Sequence, residues 1–192
     1  MPMRMPLVVL CVLAVTLVAS AEQGSGGGQM MMPTPPKEMA KLDAMVGTWK
    51  GTGTFYGMGA PIQYDSVCKA SKKFMGMYLV EEETDTATMP GMSAPMVVHD
   101  EMRVTWYDAA AKTYKVAAYD ETGTPSVGTA HFDGNKFIAE VDMPSMGANQ
   151  KFRATGTPDG KDSVKILGEI SSDNFKTTTK FFEIAYKRAG GM

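Results

Sequence analysis

The sequence predicts an all-β fold: about ten antiparallel strands in up-and-down order, closed into a barrel, with one short N-terminal helix plugging an end. Three observations carry this. Helical periodicity disappears after Gly47, and segments of seven to twelve residues with β-branched and aromatic content alternate with turn signals. The separators, among them "DGN" and "PDGK", are too short for the crossover of a dozen or more residues that a parallel pair needs. Ten sequential strands in an open sheet would expose two unpaired edges, a liability that closure removes.

The chain starts with "MPMRMPLVVLCVLAVTLVASAEQ": one base (Arg4), an apolar run from Leu7 to Val18, and Ala19-Ser20-Ala21, the small-x-small pattern of a secretory cleavage site. Residues 1–21 are expected to be a signal peptide and the mature protein to be exported, either periplasmic or secreted. The apolar run is too short to span roughly 30 Å of hydrocarbon as a helix. Cys11 lies inside it instead of at the cleavage point, so no lipid anchor is expected. Cleavage leaves 18 Lys+Arg against 21 Asp+Glu, a formal charge of −3, with no basic field for nucleic acid. Cys68 then stands alone, without an intrachain disulfide partner. It reads as a small buried hydrophobe, with a reactive or intermolecular thiol as the alternative.

Residues 22–36, "EQGSGGGQMMMPTPP", lack aromatics and are dominated by Gly, Pro, Gln, Ser and Met, the composition of a flexible tether. Residues 37–188 are long enough for one core and are expected to form a single barrel domain. At its start, Thr34 offers an N-cap, Pro35 and Pro36 a first turn, Met39, Leu42, Met45 and Val46 an apolar face, and Gly47 a terminator. This predicts a two- to three-turn amphipathic helix.

"MVGTWKGTG" follows, with three glycines. A phosphate-binding P-loop would need Lys after its last glycine, but Lys50 precedes Gly51, and a dinucleotide fingerprint would need glycine where Tyr56 stands. Read with period two, Trp49, Gly51, Gly53 and Phe55 share one face of a strand. The bare glycines are expected to let it coil and to admit another backbone or the plug helix.

Strands are expected near 48–56, 63–74, 77–86, 97–107, 113–120, 126–133, 136–143, 149–157, 162–171 and 175–187. In 97–107, Val98, Met102, Val104 and Trp106 form one face, and His99, Glu101, Arg103, Thr105 and Tyr107 the other. One reading puts the apolar face in the core; the other turns the polar face into a cavity to orient a ligand's head group. Periodicity alone does not choose between them. Glu81 to Glu83 split across both faces and read as a solvated strand end.

The helix, "LDAMVGTWKGTGTFY", "FMGMYLVEEE" and "VTWYDAAAKTYKVAAYDETG" together resemble the bacterial domain-of-unknown-function family 1579 (DUF1579). Its members open with a Leu-x4-Gly-Thr-Trp strand and carry a Tyr-Asp hairpin returning through a second tyrosine, here Tyr107, Asp108 and Tyr114. The resemblance covers roughly residues 38–187 and implies a ten-stranded calycin-like barrel related in appearance to lipocalin, fatty-acid-binding and nitrobindin-type barrels, without an established biochemical role. The nitrobindin-type barrels bind haem through a histidine on the last strand. That strand here, "FKTTTKFFEIAYKR", has none, so no haem and no other cofactor is expected.

Cavity candidates are Trp49, Phe55, His99, Trp106, Tyr119, Phe137 and Phe152, with Arg103 or Arg153 as carboxylate partners. His99, Glu101 and His131 make a poor zinc set, and no serine sits in a nucleophile motif. Methionine is unusually frequent, 18 residues in 192. Met89, Met92 and Met96 form a soft-donor set suited to Cu(I), or else an adaptable apolar rim. The expected function is an exported, non-enzymatic barrel holding a small apolar or amphipathic molecule. The alternatives are a periplasmic Met-rich Cu(I)-binding module and an unrecognised hydrolase using His99 or His131.

Overall fold

A computed structural model describes residues 33–57 and 59–190. The expected signal peptide (residues 1–21) and most of the expected tether (residues 22–32) lie outside the described residues. A nine-residue 3₁₀ helix, Lys37–Met45, precedes ten strands: β1 (Gly47–Phe55), β2 (Ile62–Lys73), β3 (Tyr78–Ala87), β4 (Met96–Asp108), β5 (Thr113–Asp120), β6 (Ser126–Asp133), β7 (Lys136–Asp142), β8 (Lys151–Pro158), β9 (Ser163–Ser171) and β10 (Thr179–Arg188). Each strand pairs antiparallel with its sequence neighbour, and β10 returns to β1 in a register running from Trp49↔Arg188 to Phe55↔Phe182. The sheet is a closed all-β barrel.

The final strand starts later than its residue pattern predicts. Asn174 and Phe175 take positive φ (59° and 62°), and the Asp173 carboxylate accepts from Thr177 N at 3.0 Å and Thr177 Oγ1 at 2.7 Å. Those bonds satisfy the backbone locally and hold the chain in a turn.

The N-terminal helix closes one end. Met39 and Leu42 are fully buried and pack with Leu79, Tyr114, Val116 and Ala130, so this end is solid. The helix does not start as its sequence suggests: Pro36 takes the N-cap position, without a side-chain cap, and Thr34 lies before it. Three side chains of the wall hold it instead. Tyr114 Oη donates to Glu38 O (2.7 Å), Trp49 Nε1 to Met45 O (2.8 Å), and Arg188, stacked 4.1 Å over the Trp49 ring, donates to the carbonyls of Ala44 and Val46. The helix's last carbonyls thus find partners on the barrel wall.

In β1, the space above the glycines is filled by side chains from neighbouring strands, not by the plug helix. A Cβ on Gly53 would lie 2.5 Å from Cζ of Tyr64, and one on Gly51 2.8 Å from Cδ1 of Tyr186 and 2.9 Å from the Ala185 carbonyl oxygen. The two bare positions let two tyrosine rings from β2 and β10 approach the inside of the wall closely.

Candidate functional site

A cavity of about 560 Å³ occupies the half of the barrel away from the plug helix and reaches the loops that follow β3, β5 and β7. Its two walls differ in chemistry. On one side, β1, β8, β9 and β10 contribute Phe55, Phe152, Ile166, Phe181, Phe182 and Ile184. The Phe55 and Phe181 rings meet edge to face at 4.8 Å, and Phe152 and Phe182 lie 5.8 Å apart. A register shift between Lys180 and Phe182 puts both Phe181 and Phe182 on the cavity lining, where strict alternation would send one of them outward.

The opposite wall, β3 and β4, is ionic. Register brings Glu81 opposite Arg103, Glu83 opposite Glu101 and Asp85 opposite His99, all on the inner face. Arg103, whose side chain is 21% exposed, reaches Glu83 Oε2 at 3.0 Å, Glu101 Oε1 at 3.1 Å and Glu81 Oε2 at 4.0 Å. The remaining Glu83 oxygen, Oε1, accepts from Tyr186 Oη at 2.9 Å, and Tyr186 Oη lies 2.6 Å from Ser66 Oγ. The bare face of Gly51 is what lets Tyr186 span this distance.

Burial is the leading cause of every raised acid on this wall. It pushes Glu81 upward, and burial together with the Glu83 charge pushes Asp85 up to about 6. Burial disfavours charge on His99 as well, but Glu101, Glu121 and Asp85 outweigh it and hold the imidazole above its ordinary value. His99 Nδ1 lies 3.3 Å from Glu121 Oε2.

The structure sorts the residues proposed from sequence. Phe55, His99, Arg103 and Phe152 line the cavity. Trp49 is buried in its wall beside Tyr64 and Cys68, while Phe137 packs against Tyr114 at the plugged end. Three candidates face away. Trp106 lies on the outer surface 6.3 Å from Tyr78, Tyr119 is 47% exposed, and Arg153 pairs with Glu140 and stacks at 3.9 Å over Phe175.

Strand 97–107 therefore turns its polar face inward. The core reading of Met102, Val104 and Trp106 fails, because register with β3 and β5 sets them outside, while Val98, beside the register shift at Asp85 and Thr86, reaches the cavity lining. Glu81 and Glu83 correct the solvated strand end: both point into the barrel, leaving Glu82 exposed. Arg103 is no free carboxylate partner, since three of the protein's own carboxylates already surround it.

His131 is exposed on the outer face, so the two histidines cannot act together. Met89 and Met96 sit on the cavity's rim with Met143 and Met146, and Met92 is 50% exposed in the loop. Cys68 is buried and its thiol is raised by that burial, the behaviour of a packing residue. Among the described residues, no group of three or more His, Cys, Asp or Glu is arranged to hold a metal. Sequence reasoning missed Tyr64, Asp85 and Tyr186. The signal for them was register: inward Trp49 pairs with Cys68 and with Arg188, Cys68 with Glu83 and Glu83 with Glu101, which fixes the inner face of β10 and of β1 to β4.

No protein-family model matches the chain, and no curated protein does. Solved structures do. The crystal structure of Rv2717c from M. tuberculosis aligns with a TM-score of 0.59 at 14% identity, over 81% of this chain and 99% of that one. The S-type phycobiliprotein lyase CPES from Guillardia theta aligns with a TM-score of 0.54 at 10% identity, over 82% of this chain and 100% of that one. With the closed ten-strand sheet, these likenesses show a calycin-like barrel.

Proposed function

We propose that this protein is an exported, non-enzymatic carrier that holds one small amphipathic molecule inside the barrel. The observation that carries the reading is the cavity itself. Its volume of about 560 Å³ falls within the ~300–1,000 Å³ usual for small-molecule sites. One end is sealed by Met39 and Leu42, and the aromatic wall faces a polar one. Such a division suits a ligand with an apolar body and a polar end. The S-type phycobiliprotein lyase among the structural neighbours is compatible with a ligand-holding role for this shape.

The Gly47-Thr48-Trp49 start and the Tyr107-Asp108 hairpin support grouping the chain with family 1579. In this barrel both motifs serve the plug: Trp49 binds the helix C-terminus, and the hairpin delivers Tyr114 to Glu38. Export rests on the pattern of residues 1–21. Two measurements test the proposal. Purified protein soaked in bacterial lipid extract should retain a molecule in native mass spectrometry, and its N-terminus after expression with the leader should begin near Glu22. A protein that emerges empty removes the carrier reading, and an unprocessed cytoplasmic chain removes export.

A further inference from the structure

The cavity's lining carries Glu83, Asp85, Glu101, Asp120 and Glu121 against one arginine and one histidine, with no lysine among the described lining residues. Arg103 is already neutralised by its neighbours. A carboxylate or phosphate entering this space would meet a surplus of its own sign, and the one strong cation would have to abandon existing partners to receive it. An uncharged polar group would gain little beyond a hydrogen bond.

Acidic excess alone is no site, but one member of the cluster is singled out by its contacts. Asp85 is 8% exposed and lines the cavity; Ser66 offers its carboxylate a hydroxyl, but Asp85 Oδ1 has no hydrogen-bond partner. The other carboxylates beside it are engaged: Glu83 by Arg103 and Tyr186, Glu101 by Arg103. A buried unpaired carboxylate oxygen is costly unless something supplies the missing donor. Around it, β2 places Tyr64 and Ser66 and β10 places Tyr186, and aromatic faces beside a carboxylate favour a cation.

We infer that the barrel's ligand is an amphipath with a protonated amine head group, bound by Asp85 against the Tyr64 and Tyr186 rings, with its apolar body along Phe152 and Phe182. This rests on the carrier reading and specifies the chemistry of its ligand. The head group supplies a charged donor to the Asp85 carboxylate where it meets the cavity, and the tail covers the aromatic wall.

Isothermal titration of the purified protein at pH 7.5 with decylamine, decanol and sodium decanoate separates the two claims. Decylamine should bind at least about tenfold more tightly than decanol, the size of a charge-assisted hydrogen bond, and decanoate more weakly than either. In Asp85→Asn the preference for decylamine over decanol should fall about tenfold. If decanol and decanoate bind as well as decylamine, or if Asp85→Asn leaves the preference intact, the amine assignment is wrong and the carrier reading survives. If none of the three binds, both fall. The comparison among ligands on the unmodified protein decides the matter even if the variant fails to fold.

Discussion

Arg103→Met removes the one strong cation of the inner wall among the described residues and leaves the carboxylates around it without a counter-charge. In the native protein the guanidinium lies 3.0 Å from Glu83, 3.1 Å from Glu101 and 4.0 Å from Glu81. Breaking a buried ion pair by deleting one partner costs about 3–5 kcal/mol, because an uncompensated charge remains. Against the roughly 5–15 kcal/mol that holds a typical domain together, that is a large share. With a urea slope of about 2 kcal/mol/M, it displaces the unfolding midpoint by roughly 2 M.

The loss should also depend on pH, and its sign is fixed. Without Arg103, whose charge lowers it, the buried Glu81 carboxyl rises further above its ordinary value, so the folded variant binds a proton that its unfolded chain has released. Its deficit is therefore full at pH 7.5 and shrinks toward pH 5. Urea unfolding followed by tryptophan fluorescence at both pH values measures this, with buried Trp49 as reporter. Adding Glu83→Gln and Glu101→Gln to the variant should recover most of the loss. A deficit below about 1 kcal/mol, or one equal at both pH values, would refute the account of the inner wall as a cation-centred network.

Three further outcomes follow from the same contacts. Leu42→Ala, at a position with 0% exposure under the plug helix, should cost about 2–5 kcal/mol in urea unfolding and speed hydrogen exchange along Lys37–Met45. Gly53→Ala drives a methyl into the Tyr64 ring 2.5 Å away and should cost about 1–3 kcal/mol, a loss relieved in the background Tyr64→Ala. Asp85, held up to about 6 by burial and by Glu83, among the facing groups Tyr64, Ser66, His99, Glu101 and Tyr186, should make stability fall as pH rises from 4 to 6, because the folded state keeps a proton that the unfolded chain gives up. Asp85→Asn should flatten that part of the pH profile, and an unchanged slope would contradict the assignment.

Architecture was legible because turn chemistry and strand length are local properties. "DGN" and "PDGK" marked their hairpins from a few residues each, and the short connectors left only antiparallel neighbours. The face of a strand is not local. His99, Glu101 and Arg103 alternate with Val98, Met102 and Val104 equally well in either orientation, and the usual preference for apolar residues inside points the wrong way for β4. A barrel with a polar cavity reverses that preference along part of its wall. The correct face could have been carried from Trp49 through successive registers, but register itself depends on the completed hairpins. The bulge at Phe181, which sends two neighbouring phenylalanines to the cavity, was hidden because period-two reading assumes an uninterrupted ladder.

Methyl NMR of the protein titrated with decylamine is the most direct test of the account, since it reports where a ligand lies. Shifts and intermolecular contacts to Ile166, Ile184 and Val141, all on the cavity lining, with Val67 and Val127 on the outer wall unaffected, is the predicted result. Perturbations centred on the outer wall, or an unperturbed interior at saturation, would contradict a ligand held within the closed sheet.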